Sequence, residues 1–191
     1  MAIYTRYSII FSLLTLLVAC TDNQSIIATT IGREIQHPTL TFSESSYTIL
    51  RYIDNPSCTS CQLHAGQWKV LKRQLERKYN NQVRIAFLIE TKFPDKAERI
   101  TSMYKPAHII HIDSTHHFIQ DNNLDKRLGK DFVMLLDSDS HVIAVGNPCE
   151  TKMAKKIYYQ IIDSGVTYRN YNRLDSILQL DTEMGMRRKR N

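Results

Sequence analysis

Tyr47-Thr48-Ile49-Leu50-Arg51-Tyr52-Ile53-Asp54-Asn55-Pro56-Ser57-Cys58-Thr59-Ser60-Cys61 is the stretch whose reading decides the fold. Its first seven residues are rich in β-branched and aromatic side chains and partly alternate polar with apolar, as a strand does. Asp54-Asn55-Pro56 punctuates that strand as a turn. After it, Cys61, Ala65, Trp68, Leu71, Leu75 and Tyr79 recur at three- and four-residue intervals, while Lys69, Arg73, Glu76 and Arg77 fall mostly off that face. This is the pattern of an amphipathic helix. Cys58 and Cys61 therefore form a Cys-x-x-Cys at the junction of a strand and a helix, with Cys58 at the helix N-terminus.

That placement points to thiol–disulfide chemistry. The thiolate is the nucleophile in disulfide exchange, and the unpaired N–H groups and positive dipole end of a helix start stabilise it. Cys58 is expected to have a lowered pKa and to attack. Cys61, about one turn further on, is expected to resolve. Thr59 and Ser60 supply no cation, which argues against a strongly oxidising couple.

Other readings of the pair stay open. Half of a zinc site needs two further ligands, and no second Cys-x-x-Cys or His pair follows at finger spacing. Covalent haem needs His directly after Cys61, where Gln62 stands. A permanent structural disulfide is a further alternative. His64 reads as a surface histidine. No resident cofactor or metal is expected.

The N-terminus reads as a targeting segment. Arg6 precedes an apolar run from Ile9 to Val18 broken only by Ser12 and Thr15, too short to span a bilayer comfortably. Leu17-Val18-Ala19-Cys20 resembles the lipobox of bacterial lipoproteins. That resemblance implies loss of residues 1–19, acylation of Cys20, and an anchored protein in the bacterial cell envelope, on the periplasmic or extracellular side, where disulfides persist. Of the four cysteines, Cys149 is then left alone. Net charge is +6, and Arg187-Arg188-Lys189-Arg190 supplies four of those charges. The body is nearly balanced, so nucleic acid is not an expected partner.

Along the rest of the chain, residues 20–43 read as a tether with an edge strand near 40–42. Residues 83–89 (VRIAFLI) form a near-continuous apolar run suited to a central strand covered on both faces. With the first strand and helix they make a βαβ unit. Residues 94–104 read as a helix, 107–113 as a strand and 118–124 as a short helix. Residues 132–136 and 142–145 read as a β-hairpin, and 153–163 as an amphipathic helix with Gly165 as its C-cap. A domain over 44–165 is expected, followed by a basic tail over 166–191.

This order of elements resembles the thioredoxin fold, and more closely the lipid-anchored thioredoxin-like proteins of bacterial envelopes. The matching pieces are YIDNPSCTSCQLHAGQWKVL (52–71) and FVMLLDSDSHVIAVGNP (132–148). The resemblance implies an α/β fold with a central mixed β-sheet flanked by helices. It also implies a thiol-disulfide oxidoreductase, a reductase by preference, acting on protein disulfides with an unidentified redox partner. Three positions depart from the family pattern. Ser57 stands in place of a tryptophan, Asp131 in place of a cis-proline, and Tyr52 in place of a buried acid six residues before the first cysteine. These departures support a second reading, a binding module whose cysteines form a static disulfide or a soft-metal site with Cys149 as third thiolate. A peroxidase is a weaker reading, because the proline- and threonine-bearing context that peroxide-reducing relatives place before their cysteine is absent around Cys58.

One topological expectation follows. If the strand from Val142 runs parallel to the one before Cys58, then Asn147, Pro148 and Cys149 emerge at the same sheet edge as the Cys-x-x-Cys, together with Glu90 and Asp131. Cys149 is then a candidate for exchange with the couple, and Glu90 or Asp131 a candidate proton acceptor for Cys61. The competing expectation is a packed Cys149 and two solvated surface acids.

Overall fold

The computed structural model describes residues 25–37, 46–54, 65–102, 109–129 and 131–171. Cys20, Cys58, Cys61 and His64, the expected strand near 40–42 and the basic cluster 187–190 lie outside the described residues. Within them the elements are β1 (Tyr47–Asp54), α2 (Ala65–Tyr79), β2 (Val83–Glu90), α3 (Pro94–Thr101), β3 (Ile109–Asp113), α4 (Phe118–Asp121), β4 (Asp131–Asp137), β5 (Val142–Val145) and α5 (Lys152–Asp163). A helical stretch α1 covers 25–30.

The five strands form one mixed sheet in the order β3-β2-β1-β4-β5. β1 pairs in parallel with β2 and β2 with β3, whereas β4 runs antiparallel to both β1 and β5. β5 is thus parallel to β1, as expected. The central strands carry apolar side chains on both faces because both faces are covered. One face holds Ile49, Ile53, Ile85, Phe87, Val133 and Leu135 against Trp68, Leu71 and Leu75 of α2 and Tyr158 and Ile161 of α5. The other holds Leu50, Tyr52, Leu88, Met134 and Leu136 against Phe118 and Ile35. Each large apolar side chain taken fully out of water contributes about 1.5–3 kcal/mol, so this two-sided core dominates stability.

The terminal helix is delimited by its own chemistry. Thr151 Oγ1 accepts the Ala154 N–H at its start. At its end Gly165, with φ +63°, donates to Ile162 O, and Val166 donates to Ile161 O. That is a Schellman closure, and Val166 and Ile161 meet in the core behind it.

Packed structure is described on both sides of the span 44–165. The tether expected over 20–43 is packed structure from 25 to 37. Gly32 N–H donates to Val142 O, Val142 N–H to Arg33 O and Ile35 N–H to Ser140 O, so this segment covers the open edge of β5. Asn122 then holds Gln36 through both its main-chain groups. Gly32 (φ +83°) has no room for a side chain, since a Cβ there lies 2.6 Å from the Tyr168 ring. At the other end the packing does not stop at 165. Val166 is 1% exposed and its carbonyl accepts the Tyr47 hydroxyl, and Tyr168 N–H donates to Asp137 Oδ2. The helix from Pro94 is described as far as Thr101, short of the expected 104.

Candidate functional site

The register brings the C-terminal ends of four strands to one edge of the sheet. Asp54 is opposite Glu90, Glu90 is opposite Asp113, and Ile53 is opposite Asp131. Val145 pairs with Met134, so the chain leaves β5 for Asn147, Pro148 and Cys149 at this same edge. From Asp54 the chain continues towards Cys58, which with Cys61 lies outside the described residues.

Glu90 is the least expected group at this edge. It is 2% exposed, where a solvated surface acid was one expectation. Tyr52 sits beside it on the neighbouring strand and donates its hydroxyl to Glu90 Oε2. Burial first, and then the hydrogen bond to Glu90, hold the Tyr52 phenol far above its ordinary pKa, so it remains a neutral donor. Glu90 Oε1 is buried and has no hydrogen-bond partner among the described residues. His116 Nδ1 lies 3.8 Å from it. Tyr52 stands at the position where the family resemblance implies a buried acid, and a buried acid, Glu90, lies on the neighbouring strand.

Asp131 carries a different role from Glu90. Arg51, 1% exposed, donates from Nε to Oδ1 at 3.0 Å and from Nη2 to Oδ2 at 2.5 Å. This two-pronged ion pair occupies both carboxylate oxygens. Arg51 also lies over the Trp68 ring, 5.5 Å from its centroid. Asp131 therefore compensates a buried cation at the strand position where the family pattern has proline. Among the described residues no peptide bond is cis.

Cys149 is half-buried and packs against the core beside α2 and α5. Burial pushes its thiol up to about 11, against the opposing pull of Arg51 and Lys155. Cys149 therefore stays a thiol at neutral pH and is a poor nucleophile there. Among the described residues no group of three or more His, Cys, Asp or Glu is placed to hold a metal ion, and no helix is long and apolar enough to cross a membrane.

Beside Asp131 a groove of about 650 Å³ opens, lined by Ile26, Ile27, Leu128, Phe132 and Val145 with Asn147 and Glu150 at its polar side. Sequence reasoning missed this groove because α1 forms one wall of it. It also missed Arg51, although the signal was present: an arginine within an otherwise apolar strand requires an anion wherever both sheet faces are covered.

No protein-family profile matches the chain, and no curated protein matches it. Solved structures do. A protein described as a thiol:disulfide interchange protein DsbE from Chlorobium tepidum superposes with a TM-score of 0.51 at 11% identity, over 71% of this chain and 98% of that one. A thioredoxin-like protein from Bacteroides caccae gives 0.45 at 18% identity over 62% of this chain, which spans 41% of that longer chain. A thiol:disulfide interchange protein from a Bacteroides species gives 0.48 at 9% identity, over 68% and 84% of the two chains. The mixed sheet with strand order β3-β2-β1-β4-β5, its βαβ half, its hairpin and its terminal helix agree with that likeness. The chain has a thioredoxin-like fold.

Proposed function

We propose that this chain is a thiol–disulfide oxidoreductase acting on the disulfides of other proteins through Cys58 and Cys61, as a reductase. The observation that carries the reading is the buried, half-partnered Glu90 at the sheet edge from which the chain runs to Cys58. The printed name of the Chlorobium tepidum protein supports the same chemistry.

In the first step the Cys58 thiolate attacks one sulfur of a substrate disulfide. A Cys58–substrate disulfide forms and the other substrate sulfur leaves as thiolate. Cys61 then gives up its thiol proton to the Glu90 carboxylate and attacks Cys58 Sγ. The Cys58–Cys61 disulfide forms and the second substrate thiolate leaves. The substrate gains two electrons, the dithiol loses two, and a separate redox partner restores the dithiol. The groove beside Asp131 is where an extended substrate segment lies. Cys20 carries the lipid that anchors the protein in the bacterial envelope.

Substituting Cys61→Ser removes the second step, so covalent complexes with partner proteins through Cys58 are expected to accumulate. Their absence, in a protein whose Cys58–Cys61 disulfide also resists reduction in dithiothreitol buffers, sinks the enzyme reading and leaves a static disulfide.

A further inference from the structure

Charge is unevenly placed on this molecule. α2 and α5 lie side by side on one face of the sheet, where Lys155 Nζ donates to Gln74 Oε1 at 2.7 Å, Lys78 pairs with Asp163 at 2.6 Å and the Tyr79 and Tyr159 rings stand 5.8 Å apart. Together these two helices carry eight Lys or Arg and two acids, a net +6. The rest of the described residues carry nine Lys or Arg and twelve acids, a net −3. A nearly balanced body therefore has one basic face.

The packing turns that charge outward. Trp68, Leu71 and Leu75 of α2 and Tyr158 and Ile161 of α5 are buried in the core against the sheet. Lys69, Arg73, Arg77, Lys78, Lys152 and Lys156 are exposed. Both acids of the face are already engaged, Asp163 by Lys78 and Glu76 by Lys72 at 3.6 Å, so the cations are in surplus. Val70 and Met153, 53% and 67% exposed, add apolar side chains to the same pair of helices.

Helix chemistry does not favour this arrangement. Lys152, Lys155 and Lys156 stand in the first five residues of α5, which has no acid in its first turn. Cations there oppose the positive end of the helix dipole, where acids stabilise. A break with local preference of this kind marks a functional surface.

The chain ahead of α1 leads to the same place. α1 begins at residue 25, five positions after Cys20, so even at full extension Cys20 is within about 18 Å of it. Ile26 and Ile27 line the groove that Glu150 also lines, and Glu150 is two positions before Lys152. A lipid on Cys20 thus holds the body close to a bilayer from beside the first turn of α5, and some surface of the body has to meet the headgroups.

We infer that the outer face of α2 and α5 docks on an anionic phospholipid surface, its lysines and arginines among the phosphates and Val70 and Met153 at the acyl boundary. The inference rests on the anchored reading above for the choice of a bilayer over an acidic protein. The charge asymmetry itself lies wholly within the described residues. Each cation held within a Debye length of anionic lipid adds to such binding. The site edge, at the N-terminal ends of both helices, then faces sideways along the bilayer.

The experiment uses the chain from residue 20 with Cys20→Ser, which carries no lipid, so its binding reports the protein surface alone. It is sedimented with vesicles of phosphatidylcholine, or of phosphatidylcholine and phosphatidylglycerol in equal parts. One variant combines Arg73→Glu, Arg77→Glu and Lys152→Glu; a second places Gln at the same three positions and spares the helices the reversed charge. A comparator combines Arg33→Glu, Lys126→Glu and Arg169→Glu, the same change in net charge at exposed positions outside α2 and α5.

The expected result is binding to the anionic vesicles and none to the neutral ones. The Gln variant weakens it on the order of a hundredfold and the Glu variant by more, whereas the comparator weakens it by less than about threefold. Equal losses in the Glu variant and the comparator assign binding to net charge and overturn the docking face, as does equal binding to neutral vesicles. Failure to bind anionic vesicles also overturns it, and retention on immobilised polyglutamate then assigns the face to an acidic protein. A parent chain that takes up no labelled palmitate in bacterial cells overturns the anchored reading instead, a failure the vesicle measurement does not share.

Discussion

Two buried carboxylates mark opposite ends of the same sheet, and they are treated differently. At the end of β4 Asp137, 1% exposed, accepts N–H groups from Asp139 and His141 on one oxygen and from Tyr168 on the other. Every lone pair that matters there is spoken for, and the acid ties the hairpin turn to the segment after α5. At the end of β2 Glu90 is as deeply buried, but one of its oxygens has no hydrogen-bond partner among the described residues. Three backbone N–H groups meet the first acid, and among the described residues the Tyr52 hydroxyl meets the second. A saturated buried acid is a structural fastening, whereas an unsaturated one is available for proton chemistry.

The largest expected effect breaks the first end. Asp137→Ala strands three backbone N–H groups and is expected to cost about 3 kcal/mol or more. Glu90→Gln keeps the acceptor for Tyr52 and is expected to shift stability by less than about 1 kcal/mol. Urea unfolding of the two variants side by side checks this, and equal losses remove the distinction.

Next in size is a sharpening within the Glu90 end itself. Burial alone raises the pKa of Asp113, but hydrogen bonds from the Thr115 backbone and hydroxyl and from His37 outweigh it and hold the carboxyl below its ordinary value. A lowered folded-state pKa gives stability that is present above the ordinary carboxylate pKa and is lost as pH falls through the lowered one. Parent and Asp113→Asn are therefore expected to differ most in midpoint at neutral pH and to converge in acid. A gap that stays constant with pH shows that the Asp113 charge contributes nothing.

The smallest effect tests whether the two ends are independent. Gly165→Ala strains the left-handed turn after α5 and is expected to cost about 1 kcal/mol. It is expected to leave the proposed Cys61 step unchanged in rate, because it loosens only the Asp137 end. Thermal unfolding read beside the rate at which reduced protein cleaves an aromatic disulfide shows whether the ends are coupled.

The strands, the hairpin and the terminal helix were legible because their signals are local. The run from Val83 to Ile89 has no polar break long enough to be anything but a covered strand, and Gly165 sits where a helix with that apolar stripe must stop. The topology followed from the βαβ unit and the hairpin, and with it the shared edge of Glu90, Asp131 and Cys149. What each of these three does there was not legible. Whether Glu90 is solvated depends on Tyr52 and His116, which are 38 and 26 positions away in the chain. Asp131 is claimed by Arg51 from the neighbouring strand. The packing of residues 25–37 was equally hidden. The large apolar residues of this segment, Ile26, Ile27, Ile31 and Ile35, are scattered, and main-chain bonds to β5 and to Ser140 of the hairpin turn, which have no sequence signature, hold the segment in place.

Those main-chain bonds have a mechanical consequence. Tension applied to the chain ahead of residue 25 enters the folded body through α1 and reaches the rows linking Gly32, Arg33 and Ile35 to Val142 and Ser140. These lie at the β5 border of the sheet, next to the turn that Asp137 fastens and far along β5 from Cys149. A pull at the N-terminus is thus felt first by α1, one wall of the groove beside Asp131, and then by the β5 border, so the load path couples that groove to the hairpin turn.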